Sequence, residues 1–278
     1  MHCADHGALG SAVDTAVDAA VGLADWRRAL RMAERPLVDP QRRFVVLFSA
    51  KSACSTVVIW FLHQIGLAEA ARRHSGWPHH YRQQCFYERA DYRAARETLR
   101  PGQAAVLRVV RDPVERAASS FRHALGLGYA REPIQRSLGI DTERVGLSFE
   151  QFIDFLETED LARCDPHHRR QRHPLERLRP ADTVINASRQ DLFDGLNAFE
   201  RGLGLPHTDF ASLAWIHELQ AGRAAHSVDW PQDPYTSVLQ PDQARQGPWP
   251  RGLLTAPARA RLERLYADDL SFYGAYDG

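Results

Sequence analysis

Short apolar runs alternate with helix-spaced stretches along the chain. Phe44-Val-Val-Leu-Phe48 is a continuous run of β-branched and aromatic residues, the form of a strand buried on both faces. Ala104-Ala-Val-Leu-Arg-Val-Val110 repeats that form, and Asp182–Ala187 reads as a third strand. After the first run, Val57, Val58, Trp60, Phe61, Leu62 and Ile65 make a mostly apolar helix that Gly66 stops. After the second, Asp112 is placed to cap a helix reaching about Leu125, and Pro113 suits its first turn, where a missing N–H costs nothing. Ser148-Phe-Glu-Gln151 has the form of a capping box and opens a helix to about Glu157. Leu192, Leu196, Phe199 and Leu203 keep helical spacing up to Gly204, and a last helix covers about Ala256–Ala267, followed by an aromatic tail of Phe272, Tyr273 and Tyr276.

Two segments stand outside this alternation. Ala8–Leu30 is Ala/Val-rich but broken by Asp14, Asp18 and Asp25, which predicts an amphipathic helix within an N-terminal extension over residues 1–40. His226–Pro250 holds five prolines and little periodicity, which predicts a long loop on the acceptor side of a site. Strands alternating with helices predict an α/β fold, a parallel sheet flanked by helices on both faces, as one domain over residues 1–278.

Composition narrows the function classes. Lys plus Arg is 35 and Asp plus Glu is 35, so the formal net charge is zero, which argues against a nucleic-acid coat or an acidic tail. No apolar run reaches the length of about 18 residues that a membrane span needs, and a cytoplasmic location is the expectation. The four cysteines, Cys3, Cys54, Cys85 and Cys164, form no CxxC pair, which argues against a disulfide scaffold or a structural zinc site. One bias points to chemistry: Lys51 is the only lysine, and every other cationic residue is arginine. An ammonium is a compact charge on a flexible stem that can follow a migrating negative charge, where a guanidinium is a wide planar fork.

Lys51 sits where that difference matters. The stretch Ser49-Ala-Lys-Ser-Ala-Cys-Ser-Thr56 joins the first strand to its helix and is built of small and hydroxylated residues. A loop from a strand tip into a helix N-terminus presents unpaired N–H groups and the positive end of the helix dipole to an anion. Lys51-Ser52 matches the end of a nucleotide P-loop, but Val45 and Ala50 stand where its glycines belong, which disfavours an ATPase or GTPase of the standard type. At the second strand tip, Arg111-Asp-Pro-Val-Glu-Arg-Ala-Ala-Ser119 sets an arginine at the sheet edge and a serine two turns into the next helix. Two such anion sites on one edge suit a ligand with phosphates at both ends. The plain alternative for Arg111 and Arg116 is a pair of helix-start ion pairs with Asp112 and Glu115.

Lys51-Ser-Ala-Cys-Ser-Thr56 resembles the 5′-phosphosulfate loop of PAPS-dependent sulfotransferases, in the form found in Golgi carbohydrate sulfotransferases of the chondroitin and dermatan 4-O type. Arg111-Asp-Pro-Val-Glu-Arg-Ala-Ala-Ser119-Ser-Phe121 is similar to their 3′-phosphate motif, and the order and separation of the two blocks also match. Fainter likenesses lie at Ser148–Phe152, Asp165-Pro-His-His168, Arg251-Gly252 and Tyr266–Asp269; Ala50, Thr56 and Val57 depart from the family pattern of Pro, Asn and Trp.

The resemblance implies a P-loop-like sulfotransferase fold. It also implies transfer of a sulfuryl group from 3′-phosphoadenosine-5′-phosphosulfate (PAPS) to an acceptor hydroxyl or amine, with no metal expected. Lys51, Ser52, Ala53, Cys54, Ser55 and Thr56 would hold the 5′ end of the donor, and Arg111 with Ser119 the 3′-phosphate. The family's base is expected about thirty residues before the second block, where His80 is the first choice and His79 the second, with Glu88 in reserve. Arg163–Arg179, with six arginines and three histidines, reads either as a grip on an acidic acceptor or the donor's phosphates or as a solvated basic face. The rivals are a kinase-like phosphotransferase and a non-catalytic module that binds an acidic partner. The acceptor, a small molecule or a glycan, is not fixed by these residues.

Overall fold

The computed structural model describes residues 22–32, 35–224, 231–245 and 252–274. Its elements begin with α1 (Leu23–Leu30), β1 (Leu37–Val38), β2 (Phe44–Phe48), α2 (Cys54–Gln64), α3 (Ala68–His74), α4 (Pro78–Gln84) and α5 (Ala90–Thr98). The middle of the chain gives β3 (Ala105–Val110), α6 (Pro113–Leu127), α7 (Arg131–Leu138), α8 (Phe149–Thr158) and β4 (Thr183–Asn186). The last elements are α9 (Leu192–Leu203), α10 (Ala214–Ala224), α11 (Pro241–Arg245), α12 (Ala256–Leu265) and α13 (Ala267–Gly274). The chain is thus α/β, with a four-stranded sheet in the order β1-β2-β3-β4 flanked by helices.

The sheet is mixed, which corrects the expectation of a parallel one. β2, β3 and β4 run parallel, but β1 pairs antiparallel with β2, Leu37 opposite Val46. A strand of two residues carries no period that could be read beforehand. It also places part of the expected N-terminal extension inside the sheet; of the predicted Ala8–Leu30 helix, α1 is the part that falls within the described residues.

Register then fixes the site's location. Phe48 lies opposite Val109, and Val110 opposite Asn186, so the chain leaves β2, β3 and β4 at one edge. That is the edge at which open α/β sheets bind ligands. Asp112 caps α6 by accepting the N–H groups of Val114 and Glu115, each at 2.9 Å, and Ser148 with Gln151 forms the capping box of α8.

Helices α3, α4, α5 and α7 were not legible because their segments are polar and bury little; α7 sinks only Ile134, and α3 only Ala71, while α10, also unread, buries Trp215 and Ile216. The predicted single last helix is two, α12 and α13, with Tyr273 buried within the second; Tyr276 lies outside the described residues. The described part of His226–Pro250 is not a free loop. Leu239 bridges Leu147, and α11 is tied to α6 through Arg122 Nε to Ala244 O at 3.0 Å and Arg245 Nε to Gly126 O at 2.8 Å. Gly146, at φ 78°, makes the close approach possible, since a Cβ there would lie 2.3 Å from the Leu239 carbonyl oxygen.

Two apolar clusters flank the site's scaffold. Phe44, Trp60, Phe61 and Phe199 pack edge-on or tilted beside the strands, and Phe121, Phe149, Phe152 and Phe155 fill the space between α6 and α8. Cys54, Cys85 and Cys164 are free thiols, and Cys3 lies outside the described residues. Among the described residues, no helix is long and apolar enough to cross a membrane.

Arg108, in the middle of β3, is fully buried. It donates to Ser49 Oγ at 2.8 Å, to the Gln171 carbonyl and to Tyr273 Oη at 3.2 Å, and it lies 3.4 Å from Glu176. Removing one partner of a buried pair leaves the other charge uncompensated. Arg108→Leu is therefore expected to lower the unfolding free energy by about 3–5 kcal/mol in urea titrations, with Arg108→Lys rescuing only part, because an ammonium cannot span all these acceptors.

Candidate active site

The loop between β2 and α2 folds without glycine, yet two of its residues are left-handed: Lys51 at φ 69° and Ala53 at φ 55°. Each costs about 1–2 kcal/mol for a residue with a Cβ, so the conformation must be held from outside. Ser49 Oγ donates to the Gln171 carbonyl at 3.3 Å, Ser52 Oγ to Gln171 Oε1 at 3.0 Å, and Arg116 Nε to the Ala50 carbonyl at 3.0 Å. A left-handed residue leading into a right-handed turn makes successive N–H groups converge on one point, an anion nest. The helix behind it has no side-chain N-cap, and its first-turn N–H groups at Cys54, Ser55 and Thr56 have no intrahelical acceptor.

This loop and the second strand tip open onto one cavity of about 1140 Å³. Its lining includes Lys51, Ala53, Cys54, Ser55 and Thr56 from the loop, Arg111, Ser119, Arg122 and His123 from the second block, and His79 and His80 from α4. Arg111 Nη1 donates to the Lys51 carbonyl at 3.4 Å, and Arg111 Nε lies 3.4 Å from Glu115, which itself accepts from Ser188 Oγ at 2.8 Å. The two blocks are therefore adjacent. Single-ligand pockets run to roughly 300–1,000 Å³, so this one lies slightly above that range.

Ser52 is the exception among the predicted loop contacts. Its side chain is fully buried, its hydroxyl is given to Gln171 and its N–H to the Ser49 carbonyl at 3.3 Å. It braces the loop instead of lining the cavity. Arg116 likewise pairs with no acid from its own helix start; it is buried and donates to the carbonyls of Ala50, Pro166 and Arg169. The arginines of Arg163–Arg179 are exposed or half-buried, as a solvated basic face would have them, but the residues between them turn inward. His168, Gln171, His173 and Glu176 are buried, and Gln171 ties both strand tips together.

The histidines differ sharply. His79 is buried with Nε2 3.2 Å from Ser55 Oγ, and burial, then the Arg82 charge, lowers its pKa to about 3. His80 is exposed at the rim with Nδ1 3.0 Å from Ser75 Oγ. Glu88, on the same cavity, is engaged by Arg93 and lies 3.7 Å from Arg35. Two further histidines line the cavity beside those nominated as the base: His123, not foreseen, whose Nδ1 is 3.1 Å from Lys51 Nζ, and His167 of the Arg163–Arg179 segment, which packs on it at 4.9 Å between centroids. The spacing of His123, four residues after Ser119 on one helix face, was the available signal; nothing in the sequence marked Gln171.

Donor atoms of Glu159, Cys164 and His168 come within 4.8 Å of one another. Arg116 and Arg169 flank the same loop, and burial pushes the Cys164 thiol up to about 12, which makes this a poor cation site. No family model, curated protein or solved structure matches the chain.

Because His79 titrates near 3 when folded and near 6.5 when unfolded, the unfolded chain binds one more proton between those values. Stability is thus fully present above about pH 6.5 and declines as pH falls toward 3, with a contribution from this group of up to about 1.4 kcal/mol per pH unit. Urea unfolding of His79→Asn between pH 4 and pH 7 is expected to show a shallower acid-side slope than wild type, to about that extent.

Proposed function

We propose that the protein is a sulfotransferase that moves a sulfuryl group from PAPS to an acceptor hydroxyl or amine and releases 3′,5′-ADP. The observation that carries this reading is the sharing of one cavity by the Lys51 loop and the Arg111–Ser119 block, with Arg111 Nη1 3.4 Å from the Lys51 carbonyl oxygen. A ligand with anionic groups at both ends suits that pair of sites.

In this reading the nest at Ala53 and the first-turn N–H groups of Cys54, Ser55 and Thr56 receive the 5′-phosphosulfate, with the hydroxyls of Ser55 and Thr56 beside them. Arg111 and Ser119 receive the 3′-phosphate, the group that distinguishes this donor from ATP. Attack is in line: the acceptor oxygen bonds to sulfur as the bond from sulfur to the bridging oxygen breaks, and the leaving 5′-phosphate keeps the electron pair. Negative charge grows on that bridging oxygen, and Lys51, the only ammonium side chain, moves to meet it. The rest of the catalysis is positioning, as in phosphoryl transfer. A cavity histidine takes the acceptor proton; His80 and His79 are the two that the family resemblance nominates. The cations along the wall neutralise the donor's phosphates, so the reading calls for no metal.

Titration calorimetry with 3′,5′-ADP in the presence of a chelator is expected to show binding that ATP·Mg displaces poorly. Preference for ATP·Mg would instead favour a phosphotransferase, and no binding of either a non-catalytic module. Arg111→Ala is expected to weaken 3′,5′-ADP by about tenfold to a hundredfold, the worth of a charge-assisted contact; an unchanged affinity counts against its role. Lys51→Ala is expected to cut turnover of PAPS by about two to three orders of magnitude, while its urea midpoint does not fall, since the substitution leaves the buried braces of the loop in place. A variant that still turns over at the wild-type rate removes the mechanism.

A further inference from the structure

His167 lines the cavity with a carboxylate at its back. Asp165 Oδ1 lies 2.7 Å from His167 Nδ1 and also accepts the His167 backbone N–H at 2.9 Å, so one oxygen grips both the ring and the main chain of the same residue. The ring is further fixed by packing on Tyr129, at 4.4 Å and 28°, and on His123, at 4.9 Å and 34°. With its Nδ1 proton given to Asp165, the neutral imidazole carries its lone pair on Nε2, the nitrogen left for a substrate. One ring further on, His123 Nδ1 is 3.1 Å from Lys51 Nζ, so His167 and Lys51 border the same cavity with His123 between them.

We infer that His167, oriented by Asp165, is the base that takes the acceptor's proton, an assignment that rests on the sulfotransferase reading. The proton passes from the acceptor O–H to His167 Nε2 as the new O–S bond forms. The bond from sulfur to the bridging oxygen breaks with its electron pair going to 3′,5′-ADP, and the imidazolium then loses the proton to water. The geometry prefers this residue to the two nominated by chain position. His79 has Nε2 committed to Ser55 and Nδ1 buried without a partner, and His80 turns Nδ1 to Ser75 at the exposed rim. Asp165 is a positioning residue in the sense that it acts through the ring. The titratable groups that face His167 are Asp165 and His168 on its own loop, His123 on α6, Tyr129 beyond that helix, Lys51 on the phosphosulfate loop and His79 on α4.

Two measurements on the full-length chain test this. Nitrogen NMR of isotope-labelled histidine is expected to show His167 as the Nδ1–H tautomer, with that preference lost in Asp165→Asn; an Nε2–H tautomer in the wild-type protein overturns the assignment whatever the kinetics. Single-turnover solvolysis of radiolabelled PAPS, with water as the acceptor, is expected to slow by about a hundredfold or more in His167→Ala, with added imidazole restoring part of the rate. The rising limb of the pH–rate profile is expected to disappear in that variant, while 3′,5′-ADP affinity stays within about threefold, less than 1 kcal/mol. A rate that is unchanged, or that falls only as far as 3′,5′-ADP binding does, overturns the base and leaves the donor reading standing. A wild-type chain that binds no 3′,5′-ADP overturns the donor reading itself.

Discussion

The site depends on the side chain of Gln171. This one buried amide donates to the Arg111 carbonyl at 2.7 Å, accepts the Arg111 N–H at 3.1 Å and accepts the Ser52 hydroxyl at 3.0 Å. It pairs with the tip of β3 as a neighbouring strand would, and at the same time pins the loop that leaves β2. Its own backbone is fixed in turn: the N–H goes to the buried Asp269 carboxylate, and the carbonyl accepts from Ser49 and Arg108. The distance between the two strand-tip blocks is thus set by a residue that belongs to neither.

That clamp explains how the loop tolerates its own conformation. Left-handed geometry at Lys51 and Ala53 is costly for side chains other than glycine, and strain of this kind persists only where the surroundings over-determine it. Here the over-determination comes from buried, hydrogen-bonded neighbours: Gln171 on one side and Arg116 on the other. The strain is matched by electrostatic crowding. Lys51, Arg82, Arg111, Arg122 and several histidines line one cavity with Glu88 and Glu115, and the low pKa of His79 reflects first its burial and then the neighbouring Arg82 charge. An anion would relieve both costs, and this is how the loop's backbone suits the proposed donor.

What could be read from the sequence follows from where information lies. β2 and β3 were legible because central strands buried on both faces are uninterrupted apolar runs, and α6 and α8 because their caps are written in adjacent residues. The Lys51 and Arg111 blocks could be placed on one edge because parallel strands send their following loops the same way. Nothing local specified β1, whose two residues become a strand only by pairing with β2. The polar helices α3, α4 and α5 were hidden for a related reason, since tertiary packing of a few residues such as Ala71, Tyr81 and Tyr92 holds them. In Arg163–Arg179 the charge pattern marked the arginines that stay at the surface, but it could not mark Gln171 and Glu176, which face inward to bind backbone and Arg108.

The division of labour between the cations follows from their shapes. Arg108 and Arg116 are buried and spread their planar forks over several fixed acceptors, a task in which mobility has no use. Lys51 is different in kind. Its ammonium rests 3.1 Å from His123 Nδ1 at the cavity wall, at the end of a flexible four-carbon stem. His123 packs on the His167 ring, and Asp165 holds that ring from behind. In the proposed reaction Lys51 would give up its contact with His123 to reach the phosphosulfate, while His123 and His167 stay packed on each other in the same cavity. The flexible cation and the fixed ring pair would thus serve two parts of one proposed reaction, the first following charge to the leaving oxygen and the second taking up the acceptor's proton.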